Sequence, residues 1–314
     1  MSARKIRVGS RDSVLAVNQA KLVIDAVACS HPELDMELVT MKTTGDLNLS
    51  PFEEINRLSK NTSAAKDLFI KELELALRDR RIDLAVHSLK DVPIKWTQPD
   101  NPLPIVAFSK REDPRDALVL PGTNHNKGCF GCSSARRRLQ LEKLAPGCIV
   151  RPIRGNVLTR LKKLDEGNEY SSLVLAAAGL IRLGLESRIH KFFSPDEIVP
   201  AAGQGILVCQ GRRRGRDKNG IDYGFLDSVN DPDSEDCARC ETAFVERLGG
   251  GCSLPVAAYA EVHGREICLI GLYADETREV YQKGRLSGNR KDAIKLGEAL
   301  AKRLKREASE DFGR

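Results

Sequence analysis

Short apolar runs alternate with amphipathic helical stretches along residues 1–100, and this alternation restricts the fold more than any other feature of the chain. Ile6-Arg7-Val8-Gly9-Ser10 reads as a first strand. A helix follows, capped by Ser13, with Leu15, Leu22, Val23 and Ala26 on one face. Glu37 to Met41 is a second strand, and Leu68 to Arg78 a second helix with Phe69, Leu73, Ala76 and Leu77 aligned. A third apolar run begins at Ile82. The order β-α-β-α-β is the pattern of a mainly parallel sheet. The third run breaks at His87-Ser88-Leu89-Lys90-Asp91-Val92-Pro93, where Pro93 forbids further ladder pairing. Ligands of open α/β sheets sit at the carboxyl ends of strands, so Lys90 and Asp91 stand where chemistry is expected. Taken alone, the pair reads more readily as a solvated surface ion pair.

Pro99, Pro102 and Pro104 mark a break before Ile105–Phe108, and the alternation then restarts. Ala117 to Leu120 is a strand. Gly131-Cys132-Ser133-Ser134 leads into a helix bearing Arg136 and Arg137. Cys148 to Val150 is a further strand, ending at Arg151 and the turn Arg154-Gly155-Asn156, and Val157 to Leu164 is a helix carrying Arg160. Leu173 to Ala176 is another strand, followed by Gly179-Leu180-Ile181-Arg182. Arginines therefore recur just beyond strands, at helix beginnings, and Arg11 bears the same relation to the first helix. Such an arrangement predicts a cleft for several carboxylates or phosphates.

Gly203-Gln204-Gly205 opens the strand Ile206–Val208, with too few glycines for a dinucleotide fingerprint. The last segment reads as a helix near Ser234–Arg247, then Gly249-Gly250-Gly251-Cys252. Strands at Val256–Val262, Cys268–Tyr273 and Val280–Gly284 follow, then a helix from Lys291 to Glu307. Glycines before Cys252 let a bulky group approach the backbone, although on residue type alone a helix cap with a small buried thiol explains them better. The polar span Thr43–Lys66 is longer than an ordinary connection, and such spans are usually lids or disordered.

With 314 residues, 41% of them hydrophobic and 30% charged, the chain has the composition of a soluble globular protein of two or three domains. No signal peptide or membrane span is legible, and a cytoplasmic protein is expected. The net charge of +6 is partly concentrated in Arg136–Arg138 and Arg212–Arg214, runs that suit nucleic acid or a small polyanion. Only 5% of residues are aromatic and they do not interleave regularly with the basic ones, which argues against a stacking platform for single strands. Nine cysteines, an odd number, argue against a disulfide framework. Cys129/Cys132 and Cys237/Cys240 have zinc spacing within each pair, yet residues 133–236 separate them and neither lies in a ribbon of turns, so no metal is expected.

Six segments occur in order: Ala85–Pro93, Arg111–Ala117, Arg154–Asn156 with Thr159-Arg160, Ala178–Leu180, Gly203–Gly205 and Gly250–Cys252. Together they resemble the hydroxymethylbilane synthase (porphobilinogen deaminase) family along nearly the whole chain. The resemblance implies three α/β domains, the first two similar to periplasmic-binding-protein lobes and the third a small α/β domain with a three-stranded sheet. The expected division is 1–106 with 200–224, then 107–199, then 225–314. The implied enzyme is a monomeric transferase of porphyrin and haem biosynthesis, acting on porphobilinogen with no nucleic acid or membrane partner. It joins four porphobilinogen molecules head to tail on a dipyrromethane cofactor, losing ammonia each time, and water then releases the linear tetrapyrrole.

By the same resemblance Asp91 and Lys90 are catalytic, and Cys252 is the covalent anchor. Arg136, Arg137, Arg160, Lys90 and Ser133 bind the cofactor; Arg11, Ser13, Gln19, Arg154 and Arg182 bind substrate; Lys66 and Phe69 belong to a lid. The residues suit this chemistry. Each pyrrole carries acetate and propionate, which calls for arginines. Loss of ammonia leaves a cation, which a fixed carboxylate would stabilise. The chain departs from the family pattern at Ala65 and Asp67, where glycines usually flank the lysine, at Cys132 and Ala135, and at Gln210, where a glutamate is common. A non-catalytic two-lobed anion- or solute-binding module would explain the arginines, but not the Asp91 segment or the glycine–cysteine loop.

Overall fold

The computed structural model describes residues 5–43, 64–122, 128–213, 221–249, 255–275 and 280–311, without the side chains of 64–69, 95 and 311. The first sheet is built from β1 (Ile6–Arg11), β2 (Met36–Met41), β3 (Leu84–Ser88), β4 (Ile105–Phe108) and β10 (Leu207–Gln210), in the order β2-β1-β3-β10-β4. β3 lies centrally and needs apolar side chains on both faces. Leu84 and Val86 pack with α1 (Val14–Ser30) through Val23 and Val27. Ala85 packs on the opposite side with Leu73 and Leu77 of α2 (Ala64–Arg78). The alternation of Cβ atoms along a strand thus assigns one helix to each face.

The second sheet repeats that plan. β5 (Asp116–Val119), β6 (Cys129–Gly131), β7 (Val150–Arg151), β8 (Tyr170–Ala176) and β9 (Ile189–Phe193) lie in the order β7-β6-β8-β5-β9. Leu173 and Leu175 pack with Leu161 and Leu164 of α4 (Val157–Glu166) and Leu180 of α5 (Ala177–Ile181). Val174 faces Leu141 of α3 (Ala135–Leu144).

Each sheet is mixed, which corrects the mainly parallel expectation in one respect. In the first, β10 runs antiparallel to both β3 and β4; in the second, β5 runs antiparallel to both β8 and β9. These two strands border the crossovers, 109–115 and 194–206, and enter each sheet from the opposite end. Sequence alone gave no repeat of fixed period because the repeat lies in strand order, not in residue identity.

The third body is an antiparallel sheet of β11 (Ala257–His263), β12 (Glu266–Ala274) and β13 (Tyr281–Asn289) with α6 (Pro232–Arg247) and α7 (Ala293–Asp311). Ala258, Ala260, Ile267 and Leu269 face Phe244, Leu300 and Leu304; the alternate residues Ala257, Tyr259, Ile270 and Leu272 cover Val199 of the second crossover. Both faces of this small sheet are therefore buried.

Several element boundaries differ from the sequence reading. β6 and β9 were not anticipated, the strand near Cys148–Val150 is Val150–Arg151, and β13 continues past Gly284 to Asn289. Gly284 is a close-approach position and not a strand end: a Cβ there would lie 2.6 Å from Arg303 Nη2 and 2.9 Å from Leu304 Cδ2 of α7. The CxxC pairs are buried in separate cores, Cys129 and Cys132 in the second lobe, Cys237 and Cys240 beneath α7. No described helix is long and apolar enough to cross a membrane.

Candidate active site

The residues singled out by type gather at the carboxyl ends of parallel strands, as open α/β sheets require. β1 ends at Arg11, and Ser13 caps α1 by accepting from Ala16 N at 3.3 Å. β3 runs into a 3-10 turn, Leu89–Asp91, closed by Val92 N donating to Leu89 O at 3.0 Å. Leu89 is buried in this turn, whereas Asp91 is exposed and Lys90 half-buried. Gln19, buried on α1, accepts from Ser88 Oγ at 3.1 Å and holds the end of β3.

In the second lobe, Ser134 caps α3 by accepting from Arg137 N at 3.4 Å. The first turn of this helix then carries Arg136 and Arg137 inward, where both are buried around Asp116 at the start of β5. Arg136 Nη1 donates to Asp116 Oδ2 at 2.7 Å; Arg137 Nε and Nη2 donate to Oδ1 at 2.9 and 2.7 Å. Burial alone would push the Asp116 carboxyl up, but the charges and hydrogen bonds of the two arginines hold it well below the usual carboxylate range. Ser133 binds the neighbouring loop, donating to Ile153 O at 2.5 Å and accepting from Ile153 N at 2.9 Å.

Gln204 joins the two lobes. Its Nε2 donates to Pro114 O at 2.6 Å and to Asp116 Oδ1 at 3.0 Å, which leaves Oε1 to accept from Lys90 Nζ at 3.5 Å. One amide thus connects the Asp91 turn of the first lobe with the arginine cluster of the second. Gly203 and Gly205 make this possible: both have positive φ, 74° and 92°. Cβ atoms there would lie 2.6 Å from Leu89 Cγ and 2.2 Å from Glu112 O. Burial brings Lys90 down to about 8, with Asp91 and Asp116 opposing and Arg137 and Arg136 reinforcing the shift. It remains mainly a cation at neutral pH.

Positive charge is in excess around the turn. Arg160 donates through Nε to Gly155 O at 2.7 Å, a neutral partner. Burial lowers its pKa to about 10, helped by repulsion from Arg137 and Arg154. Arg182 reaches across to donate to Gly205 O at 2.6 Å, while its own carbonyl accepts from Asn18 Nδ2 of α1 at 3.2 Å. Burial brings Arg182 to about 10 as well, with Glu112 opposing the shift. The mutually repelling guanidinium groups of Arg137, Arg154 and Arg160 fit a bound group carrying several carboxylates. Arg160→Ala relieves repulsion, so it should leave thermal stability unchanged while weakening polycarboxylate binding by roughly 1.5–3 kcal/mol, about one to two decades. Thermal melts and KM on the same preparation check this; a variant that melted early with an unchanged KM would contradict the assignment.

The structure brings together Arg136, Arg137, Lys90 and Asp91, and it ties Arg182 to the crossover. Cys252 lies in 250–254, outside the described residues, as does the 44–63 part of the expected lid; Lys66 and Phe69 lie on α2, their side chains also undescribed. Arg136–Arg138 and Arg212 are not free basic patches. Arg136 and Arg137 are buried, Arg138 pairs with Glu142 at 2.7 Å, and Arg212 binds Asp83 at 3.0 Å and two backbone carbonyls of the first lobe.

Sequence reasoning assigned no role to Asp116, Gln204 or Glu241. Glu241 is fully buried on α6 and accepts from Arg111 at 2.7 and 2.9 Å, from Gly203 N at 2.7 Å and from Ala260 N at 2.7 Å. It therefore ties both crossovers to the third body. Asp116 was visible only as part of a matched segment; its position one residue before an apolar strand was the available signal.

Comparison with known proteins covers the same regions. Residues 6–219 match the family model for the porphobilinogen deaminase dipyromethane cofactor binding domain, and residues 236–306 match that for the porphobilinogen deaminase C-terminal domain. The chain is 51% identical over 300 residues to a porphobilinogen deaminase of Acetivibrio thermocellus, covering 95% of this chain and 97% of the relative. It is 49% identical over 303 residues to that of Ruminiclostridium josui, covering 96% and 98%. Among solved structures, the BenM effector binding domain with benzoate is similar at 15% identity and a TM-score of 0.38, covering 73% of this chain and 91% of that one. The periplasmic aliphatic sulphonate binding protein SsuA from Escherichia coli is similar at 14% identity and 0.39, covering 78% and 70%.

Proposed function

The chain belongs to the porphobilinogen deaminase family, and from that premise we propose that Asp91 is the carboxylate on which its chemistry turns. The activity is that of the family, EC 2.5.1.61, in tetrapyrrole biosynthesis, with a dipyrromethane cofactor-binding domain and porphobilinogen as substrate. The observation that carries the site assignment is the chain of contacts Lys90–Gln204–Asp116–Arg136/Arg137, which joins the Asp91 turn to the arginines across the two crossovers.

Asp91 holds negative charge at the end of β3, where the substrate's pyrrole nitrogen would be presented, and stabilises the positive charge that develops as ammonia departs. Lys90 keeps a cation beside it for substrate carboxylates. Arg11, Arg154 and Arg182 pair with acetate and propionate groups; Ser13 and Gln19 order the first-lobe rim. The excess of buried guanidinium charge fits the dipyrromethane group. Arg136, Arg137, Arg160, Lys90 and Ser133 would hold it and Cys252 would anchor it, supplying the pyrrole carbon to which substrate is joined. Arg136 and Arg137 are already neutralised in part by Asp116, so Arg160 contributes the larger uncompensated charge. Lys66 and Phe69, at the start of α2, would border a lid.

We divide the chain into 1–108 with 200–224, 109–199 and 225–314, moving the first boundary to Phe108 because β4 ends there. We take the chain as a monomer in the cytoplasm; the eight described cysteines are free thiols, as suits a reducing compartment. The test is the intact mass of the purified protein. It should exceed the polypeptide by one dipyrromethane, and Cys252→Ala should lose that increment and nearly all activity while staying folded. An equal increment on the variant would remove Cys252 from the scheme.

A further inference from the structure

Behind the Asp91 turn lies a second chain of polar contacts that the reaction itself does not require. His87 on β3 is buried, with Nε2 3.2 Å from Gln210 Oε1 on β10. Gln210 is buried too, and its Nε2 donates to Leu103 O at 3.0 Å and to Glu74 Oε1 of α2 at 3.2 Å. The carbonyl of Leu103 can only accept, so the amide orientation follows from its neighbours: Nε2 points at Leu103 and Glu74, Oε1 at His87. An amide oxygen cannot donate. His87 must therefore donate from Nε2, and in the neutral ring this leaves Nδ1 unprotonated.

We propose that Gln210 is a positioning residue for the catalytic turn: its carboxamide holds His87 as the neutral Nε2–H tautomer and, through Glu74, fastens α2 to the strand that leads into the Asp91 turn. This rests on the catalytic reading of Asp91. Among the described residues, the charged groups acting directly on the ring are Arg11 on β1 and Asp91 itself. Glu74 reaches it through Gln210, and Arg78 on the same helix pairs with Glu74 at 3.7 Å. Burial keeps the imidazole neutral, bringing it down to about 4; Gln210 and Asp91 oppose that shift and Arg11 assists it. A charged imidazolium here would set a positive charge beside the carboxylate that must meet the substrate's cation. In this chain glutamine, which stands where the family commonly has a glutamate, serves both neighbours. An ionised glutamate could not donate to Glu74, and two carboxylates around a histidine would draw a proton onto the ring.

The experiment uses the full-length protein carrying its cofactor, labelled with nitrogen-15 at its five histidines. Long-range proton–nitrogen correlation reads tautomer and charge, and His87 is assigned as the signal missing from His87→Asn. Wild-type His87 should show a protonated Nε2, an unprotonated Nδ1 and no titration between about pH 5.5 and 8. In Gln210→Glu the ring should titrate within that window, and kcat should acquire an acidic limb, falling up to about tenfold per pH unit below the new pKa. KM should change less than kcat. A wild-type ring protonated on Nδ1, or charged at pH 6, overturns the proposal even if Gln210→Glu fails to fold. So does a variant whose ring titrates while its kcat profile stays that of wild type, because a purely structural glutamine would behave that way. The nitrogen spectrum reports on Gln210 whatever Asp91 does, and Asp91→Asn reports on Asp91 whatever the tautomer.

Discussion

Asp91→Asn should fold like the wild-type chain, retain the covalent cofactor and condense porphobilinogen on the order of 10²–10³-fold more slowly. The carboxylate is exposed on a short turn, so its replacement should shift stability by no more than about 0.5 kcal/mol. Its value lies in its field. Asp91 acts on His87, Lys90, Arg137 and Arg160, four groups from both lobes, which places it where the cleft's charges converge. Asparagine keeps the size and still accepts a hydrogen bond, but it cannot compensate a developing cation. Asp91→Glu keeps the charge, displaced by one methylene, and should retain part of the rate. Single-turnover rates on cofactor-loaded protein measure the difference. Should asparagine match wild type while glutamate fails, shape and not charge governs the step, and the electrostatic role of Asp91 is wrong.

The largest effect on stability is expected at Asp116. Asp116→Asn preserves the shape of the cluster but leaves Arg136 and Arg137 buried without their counter-charge. Removing one partner of a buried ion pair typically costs about 3–5 kcal/mol, a large share of the roughly 5–15 kcal/mol that holds a domain folded. Denaturant midpoints should fall accordingly, and cofactor loading with them. The pH dependence has a definite sign. Because the folded-state carboxyl is held below the usual range, its contribution is fully present above about pH 4 and is lost as pH falls through the folded value. Wild type should therefore lose stability more steeply than Asp116→Asn below about pH 4. Parallel acid-unfolding curves for the two proteins would show that Asp116 is not the charge that binds the arginines.

Much of this site was legible residue by residue. Ser13 caps its helix as its type dictates, and Arg11, Lys90 and Asp91 stand at strand ends because apolar runs stop there. Arg136 and Arg137 follow a serine cap, so their place in the first helical turn could be read directly. Their environment could not. The sequence presents a basic run, whereas in the fold two of its three arginines point inward to a carboxylate and one points outward to Glu142.

Local sequence determined what is decided within a few residues: the type and order of most of the α/β elements (though not β6 or β9), the caps, and the strand ends where polar groups emerge. Hydrophobic period, capping and proline are short-range physics, so the chain carries them at every stage of folding. Tertiary structure alone decided which charges are compensated and how the strands return. Gln204 meets Asp116 across 88 residues of chain, and His87 meets Gln210 across 123. Such contacts depend on the crossovers that bring β10 and β5 antiparallel into their sheets, and no local propensity encodes a partner that distant. A buried arginine needs a counter-charge, but only the packed lobes determine that Asp116 is the one within reach.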